Sequence, residues 1–277
     1  MQSNNPIFRR SEEFQRGGAA TGAPASDPSQ WSVGTPGGTS YAPAPTQTGP
    51  MTIDSVVQKT AITLGVVIVT AMATWILTPD VSSDTAADNI GPLLAALTIG
   101  SLGAFALSLV NSFKRVISPP LVLAFAALEG VALGAISKLF NIQYEGVVTG
   151  AVIGTFGAFA GTLAAYKFFN IQVGAKFRTF VIAAVFGMVG ISILGVVLSL
   201  FNVDLGIFGT GPLGVIFALA GLVLGVFMLI LDFDFVEQGI ANRIPEAESW
   251  RAAFAMTVSL VWIYTNLLRL LAIFSSD

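Results

Sequence analysis

The sequence predicts an all-α membrane protein, a bundle of seven transmembrane helices, and three observations carry that prediction. Of 277 residues, 54% are hydrophobic and 10% charged, where soluble domains carry about a quarter charged. Mean hydropathy is +0.78. The apolar residues gather in runs of about twenty, the length that crosses hydrocarbon as an α-helix, and strand alternation is absent from them.

The elements follow in order along the chain. From Met1 to about Pro50 the sequence is rich in Gly, Ala, Pro, Ser, Thr and Gln and has no apolar periodicity, so it predicts a disordered tail. No apolar core of a cleavable signal stands behind a positive start, and the first span is expected to direct insertion. The chain therefore divides into a cytoplasmic tail over 1–57 and a membrane domain over 58–277. The spans read as Ala61 to Leu77, Ile90 to Val110, Leu121 to Leu139, Val147 to Tyr166, Thr179 to Phe201, Leu213 to Leu231 and Ala252 to Phe274. Each is bounded by polar residues or by Gly and Pro.

Lys and Arg in the short connections set the expected orientation. Arg9, Arg10, Arg16 and Lys59 precede the first span, Lys114 and Arg115 follow the second, Lys167, Lys176 and Arg178 follow the fourth, and Arg243 and Arg251 follow the sixth. All fall on one side, and only Lys138 falls on the other. The amino terminus is predicted to be cytoplasmic, the carboxyl terminus outside, and the location a cell's inner (plasma) membrane.

Small residues repeat at spacing four: Gly130 and Gly134, Gly150 and Gly154, Gly157 and Gly161, Gly221 and Gly225. Such pairs let helices approach closely in lipid, where packing replaces the missing hydrophobic drive. A seven-helix chain can use them all internally, although a dimer contact is the alternative.

Composition excludes much chemistry. With no His and no Cys, imidazole and thiolate catalysis, the usual zinc and haem ligands, and disulfides are unavailable. No P-loop, no GxGxxG after a strand and no nucleophile elbow occurs, so neither an enzyme nor an ATP-driven pump is expected. The net charge of −3 is too weak for nucleic acid, and no cofactor is implied. The lipid bilayer is the one partner composition requires.

Ionisable groups inside spans are costly and therefore informative. Glu129, in LAFAALEGVALG, falls near the middle of the third span and reads as a carboxylate facing a polar path or as a protonated interhelical bridge. Asp232, Asp234 and Glu237 cluster where the sixth span ends; their mutual repulsion is the most direct route to a pH response without His, and a helix end meeting water is the alternative. On the last span Ser259, Trp262, Asn266 and Arg269 share one polar stripe, so that helix is expected to line the interior. Arg269 also lies close enough to the outer end to act as an anchor.

The ending NLLRLLAIFSSD, the sixth span closing on an Asp soon followed by Phe and Gln, and seven spans in this orientation resemble the Bax inhibitor (YccA-like) membrane family over residues 58–277. The opening SNNPIF and the polar tail look like one bacterial branch of it. The resemblance implies a bundle with the last helix central and a pH-sensitive calcium leak. It also implies a latch between an Asp ending the sixth helix and an Asp in the seventh, with a basic partner at the inner end of the second. By position the first Asp falls on Asp232, with Asp234 as the other register; the basic partner falls on Arg115 or Lys114, and a seventh-helix arginine on Arg269. The second Asp has no counterpart: Ser259 stands there in one register, Trp262 or Ile263 in the other.

Glu129 is the carboxylate left to stand in, although Asp232 at an inner edge and Glu129 at mid-depth would lie about 10 Å apart along the membrane normal. Calcium prefers oxygen ligands, and Asp232 and Glu129 are its candidate ligands. The expected function is thus a passive, proton-sensitive cation leak, calcium first. The alternative is an interaction protein whose tail helps it modulate a membrane protease or another membrane complex.

Overall fold

A computed structural model describes residues 49–80, 86–169 and 171–275. The tail through residue 48, with the disorder expected of it, lies outside the described residues. Within them run seven helices, each long and apolar enough to cross a membrane: α1 Ile53–Leu77, α2 Ala86–Phe113, α3 Pro119–Gln143, α4 Val147–Phe168, α5 Ala175–Ser199, α6 Pro212–Ala241 and α7 Ser249–Phe274. No strand occurs among the described residues, and the all-α seven-helix bundle is the fold the sequence predicts.

The last helix is central, as expected. α7 packs against α1, α3, α4 and α6, while α2 packs mainly on α3 and α5 on α6. α3 and α7 accordingly bury half of their most apolar stretch, against 17% for α2 and α5. The outward faces stay apolar, with Phe186 74% and Ile76 73% exposed, the inverse of a soluble helix and suited to lipid. Between α1, α6 and α7 a core forms from Val56, Leu229, Phe233, Met256, Leu260 and Ile263.

Glycines make the close crossings. Gly130 and Gly134 of α3 face Val67, Thr70 and Ala71 of α1, Gly221 and Gly225 of α6 face Asn266 and Ile263 of α7, and Gly150 and Gly154 of α4 face Leu271 and Leu267. Three of the four predicted pairs thus serve contacts within the chain. Gly157 and Gly161 face open space.

Two boundaries differ from the sequence reading. α1 begins at Ile53, not near residue 61, because Thr52 and Ser55 form a reciprocal capping box that satisfies first-turn amides. The stretch before it is fixed as well: the Met51 amide donates to the Ile244 carbonyl (2.8 Å), the Glu246 amide donates to the Gly49 carbonyl (2.9 Å), and Met51 is buried. Ser55 and Ser249 share a buried hydrogen bond of 2.7 Å, and Lys59 pairs with Glu246 at 2.7 Å. Residues 49–57 therefore belong to the bundle and not to a tail. At the other boundary, α6 runs ten residues past Leu231, to Ala241.

Lys138, the one base on the otherwise acidic side, has a structural reason. Its buried ammonium donates to the carbonyls of Trp75 (2.9 Å) and Thr78 (2.7 Å) at the end of α1 and pairs with Asp80 at 3.0 Å. A cation there satisfies carbonyls that have no intrahelical partner and meets the negative end of the helix dipole. Lys138→Met is expected to lower stability by about 1–3 kcal/mol, the cost of stranding buried polar groups. Thermal unfolding in detergent checks this, and an unchanged midpoint would contradict the assigned role.

Candidate functional site

Among the described residues two cavities in the bundle stand out. The larger, about 550 Å³, lies between α1, α3, α4 and α7 and is lined mostly by apolar side chains, with the Ser137–Tyr264 hydrogen bond (2.6 Å) on its wall. It holds no charged group. The smaller, about 350 Å³, lies between α2, α5, α6 and α7 and contains Asp232.

Asp232 sits nine residues before the end of α6, about 13 Å inside the helix at 1.5 Å per residue. Ser259 of α7 donates its hydroxyl to Asp232 Oδ2 at 2.6 Å. The position that one register of the resemblance assigns to a second Asp is therefore in direct contact with the first, and a hydroxyl donor stands there. Ser108 and Ser112 of α2 line the same cleft, with Val181, Ile182, Val185 and Phe186 of α5 and Phe254 and Val258 of α7. α2 and α5 are the least buried helices, and α5 is held to this wall mainly by α6 alone, so the α5 side is the one with least to hold it.

Asp234 is turned to another task. Its carboxylate accepts from Arg178 of α5 at 2.9 Å and from Gln238 at 2.7 Å, and it is buried. Tyr166 of α4 donates to Glu237 at 2.5 Å. Each carboxylate of the cluster thus meets a different helix, and this shared partnering lets α6 continue where the sequence suggested a helix end. Arg178 appeared in the sequence only as one base among eleven; its place in the first turn of α5 was the available hint.

Glu129 lies on the stripe of α3 that faces α7, one turn from Phe125 and Leu133. Phe125 meets Phe254 edge to face at 4.9 Å, so one further turn brings Glu129 level with Val258, beside Ser259. The two carboxylates, one on α3 and one on α6, therefore share a depth along α7. Depth does not separate them as the sequence suggested, because α6 extends past the cluster. Among the described residues Glu129 has no hydrogen-bond or ion-pair partner.

The remaining candidates lie elsewhere. Lys114 and Arg115 are exposed in the α2–α3 connection, where the Arg115 carbonyl accepts from Arg251 at 3.1 Å; the partner of Asp232 is Ser259 instead. Arg269 donates to the carbonyls of Ile207 and Gly214 and stacks on Phe208 and Phe217 at 5.5 and 5.8 Å. It therefore pins the α5–α6 connection to α7, on the side away from the Asp232 cleft. A family model described as Bax inhibitor 1 like matches residues 5–276, and no curated protein matches the chain.

Proposed function

The chain belongs to the Bax inhibitor 1 like family, and from that premise we propose that this multi-pass membrane protein is a passive, proton-sensitive cation leak. The observation that carries the reading is Asp232, held by Ser259 inside a cleft within the bundle. Ionised, Asp232 attracts cations and accepts the Ser259 hydroxyl, tying α6 to α7. Protonated, it loses its charge and one acceptor lone pair, so both the attraction and the tie weaken. Glu129, at the same depth, is the second carboxylate available to the path. Asp234, two residues further along α6, is paired with Arg178 of α5 at 2.9 Å.

In this proposal the amino terminus lies in the cytoplasm, a reading the basic connections support, and the membrane is a plasma membrane. No catalytic residue is part of it. Purified protein in liposomes loaded with a calcium dye, calcium being the ion the family resemblance implies, is expected to admit cations at a rate that changes between about pH 6 and 8. Dyes for sodium and potassium run in parallel, with empty liposomes as the control. A pH-independent signal equal to that of empty liposomes would overturn the leak.

One observation favours a second reading, an interaction protein. The strap over residues 49–51 fixes the exit of the tail to the α6–α7 turn, so a membrane protease or other partner holding the tail would act directly on the helices that carry the site. Removing residues 1–48 while keeping the strap is expected to leave the leak intact and to abolish an interaction function.

A further inference from the structure

The proposed leak leaves open which cation the Asp232 site accepts, and the charge and oxygen count of the cleft bear on this. The side chains lining the cleft offer five oxygens, two from the Asp232 carboxylate and one each from Ser108, Ser112 and Ser259, and backbone carbonyls or water would have to supply any others. Two of those hydroxyls already have their protons engaged, Ser259 with Asp232 and Ser108 with the Phe105 carbonyl, which leaves their lone pairs free to coordinate. Calcium takes six to eight oxygens, usually from several carboxylates.

Charge decides more than number. Asp232 supplies one negative charge. Asp234, two residues on, is taken by Arg178 at 2.9 Å, and Glu129 faces α7 from α3. Among the described residues no three acidic side chains gather closely enough to hold a metal ion. A divalent ion on Asp232 would leave one positive charge uncompensated between Phe186, Phe254 and Val258, where stray charge is expensive. A singly charged ion leaves the cleft neutral.

Resting on the leak reading for the location of the site, we infer that the Asp232 cleft selects a monovalent cation, sodium or potassium, over calcium. Ser259 is the residue that sets this preference, because it stands 2.6 Å from the carboxylate where a second acid would double the charge.

The test is thermal unfolding of the full-length protein in nanodiscs at constant ionic strength, with N-methylglucamine chloride replaced stepwise by sodium, potassium or calcium chloride. A ligand that binds only the folded state raises the midpoint with its concentration. Sodium or potassium is expected to stabilise the wild type and not Asp232→Asn, with no added stabilisation by calcium. Ser259→Asp is expected to gain calcium stabilisation, with affinity raised about tenfold by the added ligand charge. If that variant does not accumulate, Ser112→Asp supplies the second carboxylate from the α2 wall.

Calcium stabilising the wild type at lower concentration than sodium or potassium would overturn the inference, and so would stabilisation by no cation. In liposomes, faster entry of calcium than of either monovalent ion overturns it as well. Monovalent binding without any flux would instead sink the leak and keep the site.

Discussion

Replacing Gly134 by leucine is expected to leave no folded bundle to purify. At this crossing α3 lies against α1 so closely that a Cβ on Gly134 would meet the Ala71 carbonyl, with the Ala71 Cα and the Thr74 Cβ at 2.9 Å. The obstacles are backbone atoms and the root of a side chain, which no rotamer change removes. The helices must separate, and separation forfeits the close packing that holds helices together in lipid. Overpacking costs about 1–3 kcal/mol where side chains can yield, and the cost here exceeds that because they cannot. The damage also spreads, since α2 reaches the bundle mainly through α3. Gly157→Leu is the matched control, because a side chain there meets nothing within 4 Å. Size-exclusion profiles in detergent should show a monodisperse peak for Gly157→Leu and aggregate for Gly134→Leu; equal profiles would refute the packing argument.

The contrast between those glycines also marks how far a sequence can be read. Small residues at spacing four announce close approach, and three of the four pairs have it, but spacing alone does not say which pair lacks a neighbour. The spans were legible because length and apolarity are local properties that the bilayer dictates. The ends of α1 and α6 were less so. Thr52 and Ser55 cap α1 with a Thr-x-x-Ser pattern that lacks the Glu or Gln of the usual signature. The acids after Leu231 resemble a helix end until their partners are known, and those partners come from α4, α5 and α7. Cross-helix pairing is a tertiary fact, and only the family resemblance, in one of its two registers, pointed to Ser259 as the partner of Asp232.

Asp232 and Asp234, two residues apart, are expected to give opposite phenotypes when each is changed to Asn. Asp232→Asn keeps an acceptor for Ser259 and keeps the shape of the cleft, but removes the group that titrates and attracts cations there. The leak rate in liposomes should lose its pH dependence, with little change in thermal midpoint. Asp234→Asn acts on a buried carboxylate paired with Arg178 and Gln238. Arg178 is half exposed, so solvent screens the pair, and the expected loss is about 1–2 kcal/mol, below that of fully buried pairs. α5 is held mainly by α6, so weakening this tie loosens the wall of the cleft: flux should rise at every pH and retain its pH profile. The profile therefore reports on Asp232 and the midpoint on Asp234. A pH response that survives Asp232→Asn and disappears in Asp234→Asn would reverse the assignment and move the sensor to the Arg178 pair.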